Sequence, residues 1–442
     1  MVAAVVIISF YYAAALSLFV RVYHLNRLYG FIVLPFLWVG VEYFRTLSEC
    51  AFPWNELGYT QSYFLYLSQI VSVIAVHGLS LLIAAVNVLL SQIFRSSLSP
   101  ERRLTSLLIS MAVVLAVFLY GWVVTPPLPE PGTIRVGMLQ ASVPIDIKWD
   151  KFSKEHSMNL YDSLTQSLAD SNCELIVWPE TAAPCYLTHD VSCEQQAKNI
   201  AQKSMAYHLV GALSAEYTEV DELLYYNSCY QYSPEGRLDK RYDKVKLVPF
   251  AERVPYQQYV PFLRAEYLEK VLTFIKTYDM TWWSDFQGGD STGMFQFNDH
   301  FYAALICFES TFPEYVRQYI FDGAEFLVGI TNDTWFKKSL GTQMHSRIFL
   351  MRCIENRIWG VRAANSGFTY VCDGYGRIRE ELPLEAVSAL AADVGEFKGR
   401  SVFTNIGDLF GRLSWLITIS IAGIFLVKWL LQKLFLRRRH NF

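Results

Sequence analysis

Long apolar runs occupy both ends of the chain, and short ones its middle. Residues 105–125, TSLLISMAVVLAVFLYGWVVT, carry no charge, and a helix of that length rises about 30 Å, the thickness of a hydrocarbon core. The run predicts a spanning helix. Residues 2–20 and about 30–47 read the same way, the second with Glu42 and Arg45 near its end. The uncharged run from Tyr63 to Phe94 exceeds one perpendicular span, and His77-Gly78 inside it predicts a bend, a tilt or an interfacial first half. A fifth span is expected near 413–432, with Lys428 snorkelling to the interface.

From Pro131 to about Arg400 the pattern changes to short apolar runs separated by polar helices. TIRVGMLQA, ELIVWPE, HLVGALSA, YAALICFE and EFLVGITND each predict a buried strand. Amphipathic helices are expected near 151–171, 193–206, 312–321 and 343–358. Alternation of this kind predicts an α/β domain with its own core. The expected organisation is a helical membrane arm of about four spans over 1–125, an α/β domain over 131–400, and a C-terminal transmembrane helix over 411–436.

Composition agrees with a membrane protein. Hydrophobic residues make up 52% and charged residues 18%, against about 25% charged in an ordinary soluble chain, which excludes disorder. The formal charge of −3 conceals a split: residues 1–125 hold six basic and four acidic side chains, and 411–442 hold six basic and no acidic ones. Between them lie 26 basic and 37 acidic residues, a net −11. Such a body repels a nucleic-acid backbone, so no nucleic-acid partner is expected.

The basic residues also orient the spans. Arg21 and Arg27, then Arg95, Arg102 and Arg103, then Arg437, Arg438 and Arg439 belong on the cytoplasmic side. SECAFPWNELGYTQ, between the second and third spans, has no Lys or Arg, and an odd number of crossings sets 126–410 on that same outer face. Met1 then lies outside, at a helix without the basic leader of a secretory signal, so an odd number of further upstream spans is expected in the natural polypeptide.

None of the eight cysteines forms a CxxC pair, which argues against a zinc or redox motif. Cys185 and Cys193 fall in a loop of the outer region, where an oxidising compartment leaves a disulfide between them open. Three chemically capable residues stand at or near the ends of apolar runs: Glu180 in LIVWPETAAP, Lys244 in RYDKVKLVPFAERVP and Cys307 in ALICFESTFPE. A thiol attacking a carbonyl needs a base for its proton, and an adjacent cation stabilises the oxyanion that follows. Glu, Lys and Cys supply those parts. Taken singly, each has a plainer reading: a core cysteine, a solvated lysine, a helix-capping carboxylate.

The order WPE, YxKxxLVPFxE, CxE resembles the nitrilase, or carbon-nitrogen hydrolase, superfamily over essentially all of 131–400. That resemblance implies an α-β-β-α sandwich, with Glu180 as general base, Lys244 as oxyanion-stabilising cation and Cys307 as nucleophile. Lys246 competes with Lys244 but does not fall on the spacing. PFLWVGVEYFR, AFPWNELGYTQ and GLSLLIAAVNVLL, with NDTWFKKSLG, QMHSRIFLMRCIENR and VRAANSGFTYV, resemble the apolipoprotein N-acyltransferase family over nearly the whole chain. The resemblance implies transfer of an acyl chain from a phospholipid, usually phosphatidylethanolamine, through a cysteine thioester to the N-terminal amine of a diacylated apolipoprotein. It implies no cofactor and no metal. It also implies a multi-pass protein of the bacterial cytoplasmic (inner) membrane, with its catalytic domain on the periplasmic side.

By the same match Trp149, Glu252 and Glu309 support the site, Pro53 and Trp54 shape a loop, and these two with Phe308 are candidates to face lipid. Departures from the family pattern are Ala51, Ala251, Phe308, Lys337 and Gly341-Thr342, and about three initial spans of the family's membrane domain have no counterpart. Two other readings keep part of the pattern: a membrane-anchored amidase or nitrilase using water, and an inactive lipid-binding relative.

Overall fold

The computed structural model describes residues 2–127, 132–144, 151–219, 221, 223–264, 285–336, 339–396 and 399–439. The chain divides into a helical unit, Met1–Val124 with Ile406–Phe442, and a second unit, Thr125–Asn405.

The helical unit holds α1 (Val2–Leu25), α2 (Arg27–Phe44), α3 (Val71–Ile93), α4 (Pro100–Val124) and the C-terminal helix Leu409–Arg439. All five contain stretches long and apolar enough to cross a membrane. Phe10, Met111, Trp122 and Val123 point outward from the bundle, as side chains meeting lipid do. Asn26 separates α1 from α2 by capping the second, its side chain accepting from the Leu28 and Tyr29 amides.

The long apolar run from Tyr63 becomes a single helical turn, Leu65–Ser68, followed by α3, which breaks at Ala75 (φ 60°, ψ 176°). The expected bend is therefore real, two residues before His77. Side chains hold the break: the Gly58 amide donates to Ser80 Oγ at 2.8 Å, and His77 pairs with Asp408, the residue just before the C-terminal helix. Glu42 is tolerated inside α2 because Trp38 Nε1 and the Leu57 amide both donate to it, at 3.0 and 2.9 Å. A Cβ at Gly40 would lie 2.1 Å from Thr418 Oγ1, so only glycine lets α2 approach the C-terminal helix this closely.

The second unit is built on two sheets. One has the order β13-β1-β2-β4-β5-β6, with β3 also on β4: Ser388–Val394, Ile134–Gln140, Leu175–Val177, Tyr207–Tyr217, Leu223–Tyr232 and Leu238–Asp243, with Ala183–Tyr186 as β3. The other runs β12-β11-β10-β9-β8-β7: Ile378–Glu381, Tyr370–Cys372, Trp359–Ala364, Phe326–Thr331, His300–Ile306 and Met294–Phe297. Helices α5 (Lys151–Gln166) and α6 (Val191–Ser204) precede β2 and β4, and α7 (Pro313–Phe321) and α8 (Leu340–Asn356) precede β9 and β10.

Period-two alternation builds the layers. In β8, Tyr302, Ala304 and Ile306 join Val136, Val177 and Val328 in a core between the sheets. Ala303 and Leu305 face the other way, into a core with Val316 and Ile320 of α7 and Phe349 of α8. Met158 and Tyr161 of α5, with Ala197 and Ile200 of α6, close a third core on the far side of the first sheet around Trp178. Three cores between four layers make an α-β-β-α sandwich. Residues 185 and 193 are joined by a disulfide.

Candidate active site

Glu180 and Cys307 both follow parallel strands. β2 pairs in parallel with β1 and β4, and β8 with β9. Side chains just beyond the carboxyl ends of such strands emerge where a ligand can reach them. Glu180 lies three residues past Val177, and Cys307 directly follows Ile306. Cys307 is half-buried and its backbone turns left-handed (φ 53°), a strained corner at a strand end. Gly211 of β4 is needed beside this loop, since a Cβ there would meet the Pro179 carbonyl at 2.1 Å.

Lys244 follows the last residue of β6, its amide donating to the Asn227 carbonyl at 2.8 Å. Its ammonium, 1% exposed, donates to Glu252 Oε1 at 2.7 Å and lies 3.5 Å from Glu180 Oε1. Asn227 Nδ2 donates to the same two oxygens, at 2.7 Å to Glu180 and 3.3 Å to Glu252. The Asn332 amide fixes the other Glu180 oxygen at 2.8 Å, and the Val248 amide fixes that of Glu252 at 2.8 Å. One buried ammonium thus faces two carboxylates. Burial alone would lower the Lys244 pKa, but the charges of Glu252 and Glu180 hold it well above its ordinary value. Burial pushes the Cys307 thiol well up, Glu180 adds to that, and Lys244 with the Thr331 hydroxyl oppose it. A thiol so raised is protonated at neutral pH and needs a base to take its proton before it can act as a nucleophile.

Lys246 goes elsewhere. Its Nζ lies 5.5 Å from the ring centroids of both Phe312 and Tyr315, a cation–π contact. Glu309 is fully buried and braces the strand end: Oε2 accepts from the Ile306 amide at 2.8 Å, and Oε1 from the Tyr242 hydroxyl at 2.5 Å and the Val245 amide at 2.8 Å. Burial raises its pKa, and the donors from Ile306, Tyr242 and Val245 counter that. Its direct partners are amides and hydroxyls. Pro53 and Trp54 are buried within the helical unit, and Phe308 is buried with its ring 5.3 Å from that of Phe312. Trp149 and Lys337 lie outside the described residues.

Sequence reasoning assigned no role to Asn227 or Asn332, nor to a charged cluster behind Cys307. There Asp333 accepts from Arg362 Nη2 at 2.8 Å and from Thr331 Oγ1 at 3.0 Å, and lies 2.9 Å from His345 Nδ1. Burial would raise the Asp333 pKa, but the neighbouring Arg362 and His345 hold it below the usual carboxylate range. Asn332 and Asp333 in NDTWFKKSLG, His345 in QMHSRIFLMRCIENR and Arg362 in VRAANSGFTYV contributed to the resemblance without any assigned function.

Comparison with known proteins gives matches over both units. Residues 135–402 match the Carbon-nitrogen hydrolase family, and residues 1–89 match the Apolipoprotein N-acyltransferase N-terminal domain. An apolipoprotein N-acyltransferase of Geobacter metallireducens is 35% identical over 85% of this chain and 70% of its own. One from Chlorobaculum tepidum is 29% identical over 91% of this chain and 78% of its own. Among solved structures, an amidase from Nesterenkonia sp. is 14% identical, with a TM-score of 0.43, over 66% of this chain and 99% of that one. The matches support N-acylation of lipoproteins over use of water as acceptor. This chain is a membrane protein with a nitrilase-like domain, and it belongs to the apolipoprotein N-acyltransferase family of the carbon-nitrogen hydrolase superfamily.

Proposed function

We propose that Glu180, Lys244 and Cys307 perform a two-step acyl transfer. In the first step Glu180 takes the thiol proton as Cys307 Sγ attacks an ester carbonyl of a phospholipid, with phosphatidylethanolamine as the expected donor. The oxyanion forms beside the Lys244 ammonium, where a desolvated, preorganised charge stabilises it most. Collapse breaks the ester C–O bond, Glu180 returns the proton to the leaving alkoxide, and a lysophospholipid departs from a thioester on Cys307. In the second step the free α-amine of a diacylglyceryl-cysteine attacks the thioester, Glu180 takes the amine proton, and the sulfur leaves and is reprotonated. Glu252 stays behind as the counter-charge that keeps Lys244 in position.

One observation carries this reading: the Lys244 ammonium and the Glu180 carboxylate lie 3.5 Å apart, both buried, and both act electrostatically on Cys307. The membrane unit supports a lipid donor and a lipidated acceptor, because taking an acyl chain through water costs about 0.8 kcal/mol per CH₂. The distribution of Arg residues supports the cytoplasmic membrane with the catalytic unit on the periplasmic side, and the Cys185–Cys193 disulfide agrees with an oxidising compartment.

The test uses the full chain in phosphatidylethanolamine vesicles, followed by intact mass and then by a diacylated lipopeptide with a free amine. An acyl-sized adduct on wild type and none on Cys307→Ala, with transfer to the amine, is the expected result. Release as free fatty acid alone, at the same rate with and without lipopeptide, would overturn the acceptor assignment.

A further inference from the structure

Cys307 holds a left-handed backbone (φ 53°), a conformation its Cβ disfavours, so something outside the residue must keep it there. On the preceding side the Ile306 amide is tied to Glu309 Oε2 at 2.8 Å. On the following side the Cys307 carbonyl meets two groups: the Ser310 hydroxyl at 2.9 Å, from the same turn, and His345 Nε2 at 3.1 Å, from α8. His345 is thus the distant anchor of the nucleophile's main chain, 38 residues away in sequence.

The imidazole is itself held. It is 1% exposed, and its Nδ1 lies 2.9 Å from Asp333 Oδ1. Asp333 in turn is fixed by Arg362 Nη2 at 2.8 Å and Thr331 Oγ1 at 3.0 Å. Gly367 leaves room for this carboxylate, since a Cβ there would fall 2.1 Å from Oδ2. A carbonyl oxygen only accepts, so in its contact with Cys307 it is the ring Nε2–H that donates. Arg362 Nη2 also lies 3.3 Å from Nδ1, so the ring edge facing away from Cys307 is held by both Asp333 and Arg362.

We infer that His345 is a positioning residue for acyl transfer: its Nε2–H holds the Cys307 carbonyl and so aims Sγ into the space shared by Glu180 and Lys244. The inference rests on Cys307 being the nucleophile. His345 does not touch substrate in this role. It acts through the Cys307 peptide, and Asp333 and Arg362 act through His345.

Two near-isosteric substitutions separate the roles of the two ring nitrogens. In His345→Gln the amide nitrogen can occupy the Nε2 position and still donate to the Cys307 carbonyl. In His345→Asn it occupies the Nδ1 position, keeps the contact with Asp333 and falls short of Cys307. The full chain in phosphatidylethanolamine vesicles is followed for the rate of acyl-enzyme formation and its dependence on donor concentration. H345Q is expected within about tenfold of wild type, and H345N slower by about 10²-fold with donor KM unchanged, as expected for a displaced reacting group. A role confined to packing or to holding Asp333 would leave H345N equal to or better than H345Q, and that result overturns the inference. Should H345N not fold, as judged by its unfolding transition, His345→Met replaces it, filling the space and donating nothing. Cys307→Ala runs alongside. An adduct on C307A overturns the nucleophile reading itself, whereas no adduct on C307A with equal rates for H345Q and H345N overturns only the role of His345.

Discussion

The Lys244 ammonium donates to Glu252 at 2.7 Å, closer than its 3.5 Å approach to Glu180. That inequality matters for a base. A carboxylate firmly paired to an ammonium is a poor proton acceptor, so Glu252 leaves Glu180 available by taking the closer contact. Glu252→Gln keeps the shape but removes the charge, leaving Glu180 as the one carboxylate counter-ion of Lys244 among the described residues. Acyl-enzyme formation is expected to fall about 10²- to 10³-fold while the protein remains folded, a loss in the range for removing one charged partner from a preorganised site. Single-turnover intact-mass kinetics measure it, and a wild-type rate in E252Q would contradict this division of labour.

The same pocket sets a pH dependence for the thiol. Burial and the Glu180 charge raise the Cys307 pKa, with Lys244 opposing, so its thiolate appears at higher pH than that of a free cysteine near 8.5. In the absence of lipid, iodoacetamide should modify Cys307 more slowly than free cysteine at pH 7 to 8, with the rate still rising above pH 9. Lys244→Met removes the opposing charge, so its profile should move further up in pH and its rate fall throughout that window. Cys50 is exposed and supplies a background, which a Cys307→Ala control subtracts. Faster alkylation of Cys307 than of free cysteine at pH 7 would mean the site activates the thiol at rest.

Much of this arrangement was legible in the chain because burial and charge leave different marks. β1, β2, β4, β8 and β9 are apolar runs buried on both faces, and Glu180 and Cys307 interrupt the pattern where such runs end. β6 (LDKRYD) and β12 (IREE) are edge strands with mostly partly buried or exposed residues, and their polar sequences carry no core signal. Asn227 bridges two carboxylates, yet in LLYYNSCYQY it is one uncharged polar residue inside a strand. His345 reads as one position of an amphipathic helix. Only the β9-α8-β10 connection, which folds α8 back over adjacent parallel strands, brings it to Asp333, Arg362 and Cys307.

Asp333 gives a stability prediction whose sign can be worked out. Its folded pKa is depressed, chiefly by Arg362 and His345 working against burial, while the unfolded value is about 3.9. The stabilisation is therefore present above about pH 4 and is lost as pH falls below that toward the folded value. Asp333→Asn should cost about 3–5 kcal/mol at pH 7, because Arg362 is left buried without its counter-charge. The gap to wild type should narrow as pH drops below about 4. Denaturant unfolding of the detergent-solubilised chain across pH 3 to 7 measures it, and a gap that is constant with pH would show that the Asp333 charge is not what stabilises the cluster.

Gly211 tests how tightly the sheet positions the base. It lies in β4 beside the turn after β2, where an added methyl would come within 2.1 Å of the Pro179 carbonyl and 2.9 Å of the Glu180 Cα. Both neighbours are backbone atoms, so no side chain can swing aside, and the β2 turn itself must move. Glu180 moves with it, away from the Asn332 amide and Asn227 that aim its two oxygens. Gly211→Ala is therefore expected to slow acyl-enzyme formation by about 10²-fold, the cost of displacing a reacting group by roughly 1 Å. Because the thiol is not part of that turn, iodoacetamide alkylation of Cys307 should change far less than acylation does. Equal losses in both reactions would mean that the strand end carrying Cys307 had shifted as well, and that the two halves of the site do not move independently.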